Sequence, residues 1–172
     1  MIISLMICMQ NTRSKEYLRN VLMTLFGGYF GSRLMSNIRE EKGYTYGISA
    51  GIMFYPDSGL LAISTETDNE YVEPLIQEVY HEIDRLHQKP VSAEELTIVR
   101  NYMLGEMCRS YESPFSLSDA WIFIATSGLD DDYFSRSLLA VNEVTPMEIQ
   151  DLAQRYLCKE TLKEVIAGKK LS

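Results

Sequence analysis

Residues 38–48, IREEKGYTYGI, set a guanidinium and two phenols close together in an otherwise ordinary chain. Arg39 offers five N–H donors in a fixed fork, and Tyr44 and Tyr46 each offer one phenolic donor. Side chains of these types are suited to holding a peptide carbonyl, or the oxyanion it becomes under attack. Gly43 stands where a helix end favours a left-handed residue, so the chain doubles back between Arg39 and Tyr46. That reversal lets side chains seven positions apart face one cavity. A simpler reading competes. In it Arg39 pairs with Glu40 or another neighbour, and Tyr46, sharing the parity of Ile48 and Ile52, lies partly in the core.

Other chemistries find little support. The two histidines, His81 and His87, are six residues apart. On a helix that separates them by about 240° at about 100° per residue, so they do not converge on a metal. The inverted zinc motif H-x-x-E-H fails as well, because Asp84 and Arg85 stand where Glu and His are required. No metal site is expected on this chain. GGYFGS, residues 27–32, follows a helix and lacks the Lys-Ser/Thr ending of a phosphate loop, so it reads as a turn. No serine sits in a G-x-S-x-G elbow. Glu40–Glu41 and Glu94–Glu95 are adjacent, point apart and read as solvated faces. Cys8, Cys108 and Cys158 form no C-x-x-C pair, and inert buried thiols are expected. The eleven tyrosines are expected along a sheet–helix interface and its rim.

The elements that must position Arg39 and Tyr46 show in the periodicity. MIISLMICMQ reads as a buried strand rich in Ile, a signal remnant being the other reading. SKEYLRNVLMTLF carries apolar residues at helical spacing, with Ser14 as a candidate cap. After the glycine turn, SRLMSNIREEK is a short helix with Ser32 as its candidate cap. YGISAGIMF alternates like a half-buried strand. YPDSG turns, and LLAISTET returns as the second arm of an antiparallel hairpin. Helical periods then follow in DNEYVEPLIQEVYHEIDRLHQK, in SAEELTIVRNYMLGEMCRSY with a capping box from Ser92 to Glu95, and in SPFSLSDAWIFIATSG ending at Gly128. DDDYFSRSLLAVNEV and TPMEIQDLAQRYL continue the series, the latter opening with Thr145, Pro146 and Glu148. TLKEVIAGKK is a candidate last strand. Strands and helices are segregated, which predicts an α+β fold: a small, mainly antiparallel sheet covered on one face by several helices.

Length and charge bound the rest. The 172 residues fit a single domain, 1–172, and 46% are hydrophobic. The net charge of −8 argues against nucleic acid and against docking on anionic lipid. No segment after the first ten residues reads as a membrane span. A soluble chain of cytoplasm or periplasm fits this composition.

LFGGYFGSRLMSNIREEKGYTYGISAG, residues 25–51, resembles the signature of the non-catalytic, C-terminal-type domain of pitrilysin/insulinase-like zinc metallopeptidases, the inverzincins, which include mitochondrial processing peptidase. The resemblance implies an α+β half domain of the LuxS/processing-peptidase kind that closes, with a homologous half, around a peptide. It also implies that zinc, the H-x-x-E-H helix and the general base belong to the partner domain, in the same longer chain or in a separate subunit. This chain carries no H-x-x-E-H and is thus expected to be the zinc-free half, inactive alone, with no cofactor of its own. In the family pattern a Tyr follows an Arg by seven residues, which selects Arg39 to anchor substrate and Tyr46 to bind substrate and hydrogen-bond the tetrahedral oxyanion. Tyr44 stands where the family usually has an apolar residue, so no role is carried to it. The family's domain usually starts further upstream, which implies truncation or a longer native chain. A catalytically silent scaffold or interaction subunit of a peptidase-like complex is the alternative.

Overall fold

The computed structural model describes residues 1–10, 16–55 and 58–168. The candidate cap Ser14 and the Pro56–Asp57 centre of the hairpin turn lie outside these residues. Strands β1 (Ile2–Gln10), β2 (Thr45–Phe54), β3 (Ser58–Thr67) and β4 (Lys163–Ala167) form one sheet in the order β2-β3-β1-β4. Every neighbouring pair is antiparallel, with Leu5 opposite Ile63 and Ala50 also opposite Ile63. The helices are α1 (Glu16–Met23), α2 (Val72–Gln88), α3 (Ala93–Arg109), α4 (Pro114–Ser127), α5 (Tyr133–Glu143) and α6 (Pro146–Tyr156). This is the α+β arrangement that the segregated periods imply.

The period-2 pattern of the strands explains where the core lies. Ile3, Leu5 and Ile7 of β1, Leu61 and Ile63 of β3, and Ile48 and Ala50 of β2 point to one face and are buried. Val21 and Leu22 of α1, and Leu75, Val79, Ile83 and Leu86 of α2, pack into the same core. Each fully buried Leu or Ile contributes about 1.5–3 kcal/mol through area removed from water. The alternate residues Cys8, Ser64, Ser49 and Met53 are exposed on the opposite face of the sheet.

Local chemistry sets the helix ends. Thr145 and Glu148 form the reciprocal capping box expected at α6, and Gly128 closes α4 in the left-handed region at φ 63°. The box expected at α3 is only half made. The Ser92 hydroxyl accepts from the Glu95 N–H, but the Glu95 carboxylate is held by Arg33 through bonds of 2.7 and 2.9 Å. Ser32 does not cap by its side chain, since its buried hydroxyl has no partner among the described residues, though its carbonyl accepts from Ser36 N–H. The cysteines depart from expectation: Cys8 and Cys108 are exposed and Cys158 is half-buried. Cys8 belongs to the uncovered sheet face, so an apolar strand does not bury it.

Candidate functional site

Arg39 lies on a seven-residue π-helix, Met35–Glu41, that follows the glycine turn. A second π-helical turn, Thr24–Gly28, extends α1 into that turn. Such widened turns cost hydrogen-bond quality and are concentrated at functional sites. Two features hold the wide geometry here. Ile38 is fully buried, and Asn37 donates through Nδ2 to Glu78 at 3.0 Å and to Glu82 at 2.9 Å on α2. Lys42 adds an ion pair to Glu78 at 3.2 Å. The Asn37 bond is the main cause that holds the Glu78 carboxyl below the usual carboxylate range, partial burial opposes it, and Lys42 assists. The helix closes when the Tyr44 N–H reaches back to Ile38 O at 3.0 Å across Gly43, whose φ of 68° is the left-handed conformation foreseen for it.

The glycine turn approaches the sheet closely. A Cβ on Gly27 would stand 2.7 Å from both the Cβ and the backbone N of Ala50, so only glycine fits this approach. The turn also projects Phe30, whose ring lies 4.7 Å from the Arg39 guanidinium carbon. This cation–π contact was not foreseen, because the turn residues carried no periodic signal.

Tyr46 departs from the parity reading, since its side chain is fully exposed at 100%. The cause is a β-bulge. Thr45 pairs with Thr67 and Ile48 with Thr65, so β2 holds one residue more than β3 across this interval. The extra residue breaks the alternation between Tyr46 and Ile48 and turns the phenol out. Two threonines hold the bulge. Thr65 Oγ donates to Gly47 O at 2.8 Å, Thr45 Oγ donates to Glu66 O at 2.6 Å, and the Gly47 N–H donates to Thr45 Oγ at 3.1 Å.

The structure brings Arg39 and Tyr46 together. Arg39 Nε donates to the Tyr46 carbonyl at 2.9 Å, and Nη1 donates to Glu40 at 3.1 Å. The simpler reading of Arg39, a pair with Glu40, is met, and the same side chain also fixes the bulge. Among the described residues Nη2 and the Tyr46 hydroxyl have no hydrogen-bond partner. Arg39, Tyr44 and Tyr46 line one open cleft of about 750 Å³ together with Glu66, Thr67 and Asp68. Tyr44 stacks on Tyr71, ring centroids 5.1 Å apart, and forms a wall of this cleft. The Tyr71 phenol is pushed above its ordinary value, chiefly by the charge of Glu70. The histidines stay apart from the cleft lining: His81 is exposed, and His87 Nε2 lies 3.0 Å from Ala153 O. No group of three His, Cys, Asp or Glu is placed to hold a metal ion among the described residues, and no helix there is long and apolar enough to cross a membrane.

Comparison with known proteins follows the same residues. The family model described as the peptidase M16 inactive domain matches residues 2–103, more than half of the chain. An uncharacterized zinc protease of Bacillus subtilis, YmxG, is 30% identical over 93 residues, which are 54% of this chain and 23% of that protein. The chain therefore spans about a quarter of the curated relatives it matches. Among solved structures, a peptidase M16 inactive domain from Pseudomonas fluorescens superposes with a TM-score of 0.83 at 21% identity, over 98% of this chain and 42% of that one. An inactive peptidase domain from Bordetella parapertussis gives 0.81 at 19% identity, over 95% of this chain and 90% of that one. With the glycine turn, the Arg39 helix and the first hairpin all inside the matched span, the chain belongs to the peptidase M16 inactive-domain family.

Proposed function

We propose that this chain is the zinc-free half of an M16-type metallopeptidase, binding peptide and supporting peptide-bond hydrolysis carried out with zinc held by a partner domain. The observation that carries this reading is the free donor pair at the cleft. The Arg39 carbonyl bond fixes the backbone of Tyr46 while the phenol itself projects fully into solvent. An exposed tyrosine that packs against nothing needs another reason for its placement, and a ligand arriving from a facing domain supplies one. In this reading Arg39 spends Nε and Nη1 on the protein and offers Nη2 to a substrate carbonyl. The Tyr46 hydroxyl donates to the oxygen that becomes negative as the tetrahedral intermediate forms, where a preorganised donor counts most. The partner domain would supply the zinc and the Glu that activate water. The hairpin that starts at Tyr46 would line the chamber between the halves, and the chain would be one domain of a longer protein or a separate subunit.

The test is Tyr46→Phe in the complete assembly. Loss of the hydroxyl should lower kcat by about 10²–10³ and leave the thermal midpoint of this domain unchanged, because the ring packs against nothing. Wild-type turnover in that variant would remove the role assigned to Tyr46.

A further inference from the structure

A second surface, sharing no lining residue with the cleft of Arg39 and Tyr46, is built on α4. This helix, PFSLSDAWIFIATS, is apolar nearly all round and carries one charge, Asp119. Helices of that kind are normally buried on all sides. Here only Ile124 is buried, while Phe115 is 82% exposed, Ile122 59% and Trp121 48%. Phe115 and Ile122 stand two turns apart along the middle of the outward arc, Leu117 and Trp121 stand one turn apart along one edge, and Phe123 stands at the other, where the cavity begins. Beneath the helix lies an open cavity of about 440 Å³, walled by Met103 and Met107 of α3 and by a run of rings. Tyr17 and Tyr133 lie 4.9 Å apart between centroids, Tyr133 and Phe134 5.6 Å, and Phe134 and Tyr111 5.0 Å. Among the described residues the cavity lining contains no Lys, Arg or His.

The charges around this apolar face have one sign. Between residues 106 and 143 there are seven carboxylates and only Arg109 and Arg136 as bases. Both bases are already paired, Arg109 with Glu106 and Arg136 with Asp130. Glu112, Asp119, Asp131 and Asp132 are exposed on the helix and at its ends. Such a rim repels a second copy of itself and repels anionic lipid, and it attracts a cationic partner.

We propose that the outer face of α4, with the cavity beneath it, is a docking surface for a basic amphipathic helix of a partner protein. Apolar side chains of that helix lie against Trp121 and Ile122, others reach past Phe123 into the ring-lined cavity, and its Lys and Arg meet Asp119 and the Asp130–Asp132 rim.

Trp121 is the sole tryptophan of the chain, so its own fluorescence reports coverage of this face. The probe is a designed Leu/Lys helix of about five turns with all leucines on one side, titrated into the native chain. The expected result is a saturable blue shift of Trp121 emission that weakens as salt is raised to about 0.5 M. The triple variant Asp130→Asn, Asp131→Asn, Asp132→Asn should bind about tenfold more weakly, as should Phe115→Ser with Ile122→Ser, both with unchanged circular dichroism. The same peptide scrambled to destroy its apolar side should shift nothing. Equal binding of the scrambled peptide, equal binding by both variants, or no shift at all would overturn the proposal. So would a shift produced by phosphatidylcholine vesicles or by raised protein concentration but not by the peptide, since those results assign the face to a bilayer or to a second copy.

Discussion

Arg39 serves three groups at once, and that multiple use makes it hard to exchange for another cation. Nε holds the Tyr46 carbonyl at 2.9 Å, Nη1 reaches Glu40 at 3.1 Å, and the guanidinium carbon lies over the Phe30 ring, 4.7 Å from its centroid. A lysine has one compact ammonium and no plane, so it cannot hold the carbonyl, face the ring and present a further donor together. Arg39→Lys should therefore lower kcat/KM of the complete assembly about tenfold or more and leave the melting temperature nearly unchanged, because the side chain is partly exposed. Activity equal to the wild type would show that a charge alone suffices there. The family resemblance singled out Arg39 and Tyr46, and the reversal at Gly43 was legible from residue type. The outward direction of Tyr46 was not. Parity counting assumes an unbroken ladder, and the bulge that breaks it depends on Thr45 and Thr65, residues twenty positions apart whose bonds to the backbone leave no periodic trace.

At the scale of elements, most of the architecture was readable because strand and helix periods differ and each is tied to a buried face. The α6 capping box, the left-handed Gly43 and Gly128, and the hairpin all follow from local residue types. The π-helical form of Met35–Glu41 was not legible, since its stripe of Leu34 and Ile38 fits an α-helix equally well; its bracing comes from Glu78 and Glu82 on another element. The glycine turn shows the same limit. Its conformational freedom was expected, but the demand at Gly27 is one of space, set by Ala50 on β2. Gly27→Ala should destabilise the domain by about 1–3 kcal/mol in urea unfolding, because the backbone of β2 cannot yield as a flexible side chain would. Adding Ala50→Gly should restore part of that loss by removing one of the two close contacts. Full stability in Gly27→Ala would mean that the turn is held less tightly than the 2.7 Å approach implies.

Over the whole molecule, the helix that presents Arg39 is tied to α2 through two carboxylates, Glu78 and Glu82, and the first of these makes the site sensitive to acid. Glu78 accepts from Asn37 at 3.0 Å and pairs with Lys42 at 3.2 Å, and these contacts hold its folded-state pKa below the ordinary value of about 4.3. A depressed folded pKa means that the unfolded chain binds its proton first as pH falls. The stabilisation is therefore complete above the unfolded value and drains away as pH drops through the folded one, in the window below about pH 4.3. The chain as a whole, at net charge −8, responds in the opposite sense over the same range, because protonating surface carboxylates relieves their mutual repulsion. A single acid-unfolding curve thus mixes two effects, and the difference between two proteins separates them. Glu78→Gln keeps the shape of the side chain but has no titration, so it should be less stable than the wild type at pH 7 and approach it as the pH is lowered toward 3. Urea midpoints measured in steps between those pH values, together with Tyr46-dependent turnover of the assembly, should show the site failing in the wild type over the interval where the two stability curves converge. Curves that stay parallel would place the anchor of the Arg39 helix elsewhere, with the fully buried Glu82 as the group left to hold it.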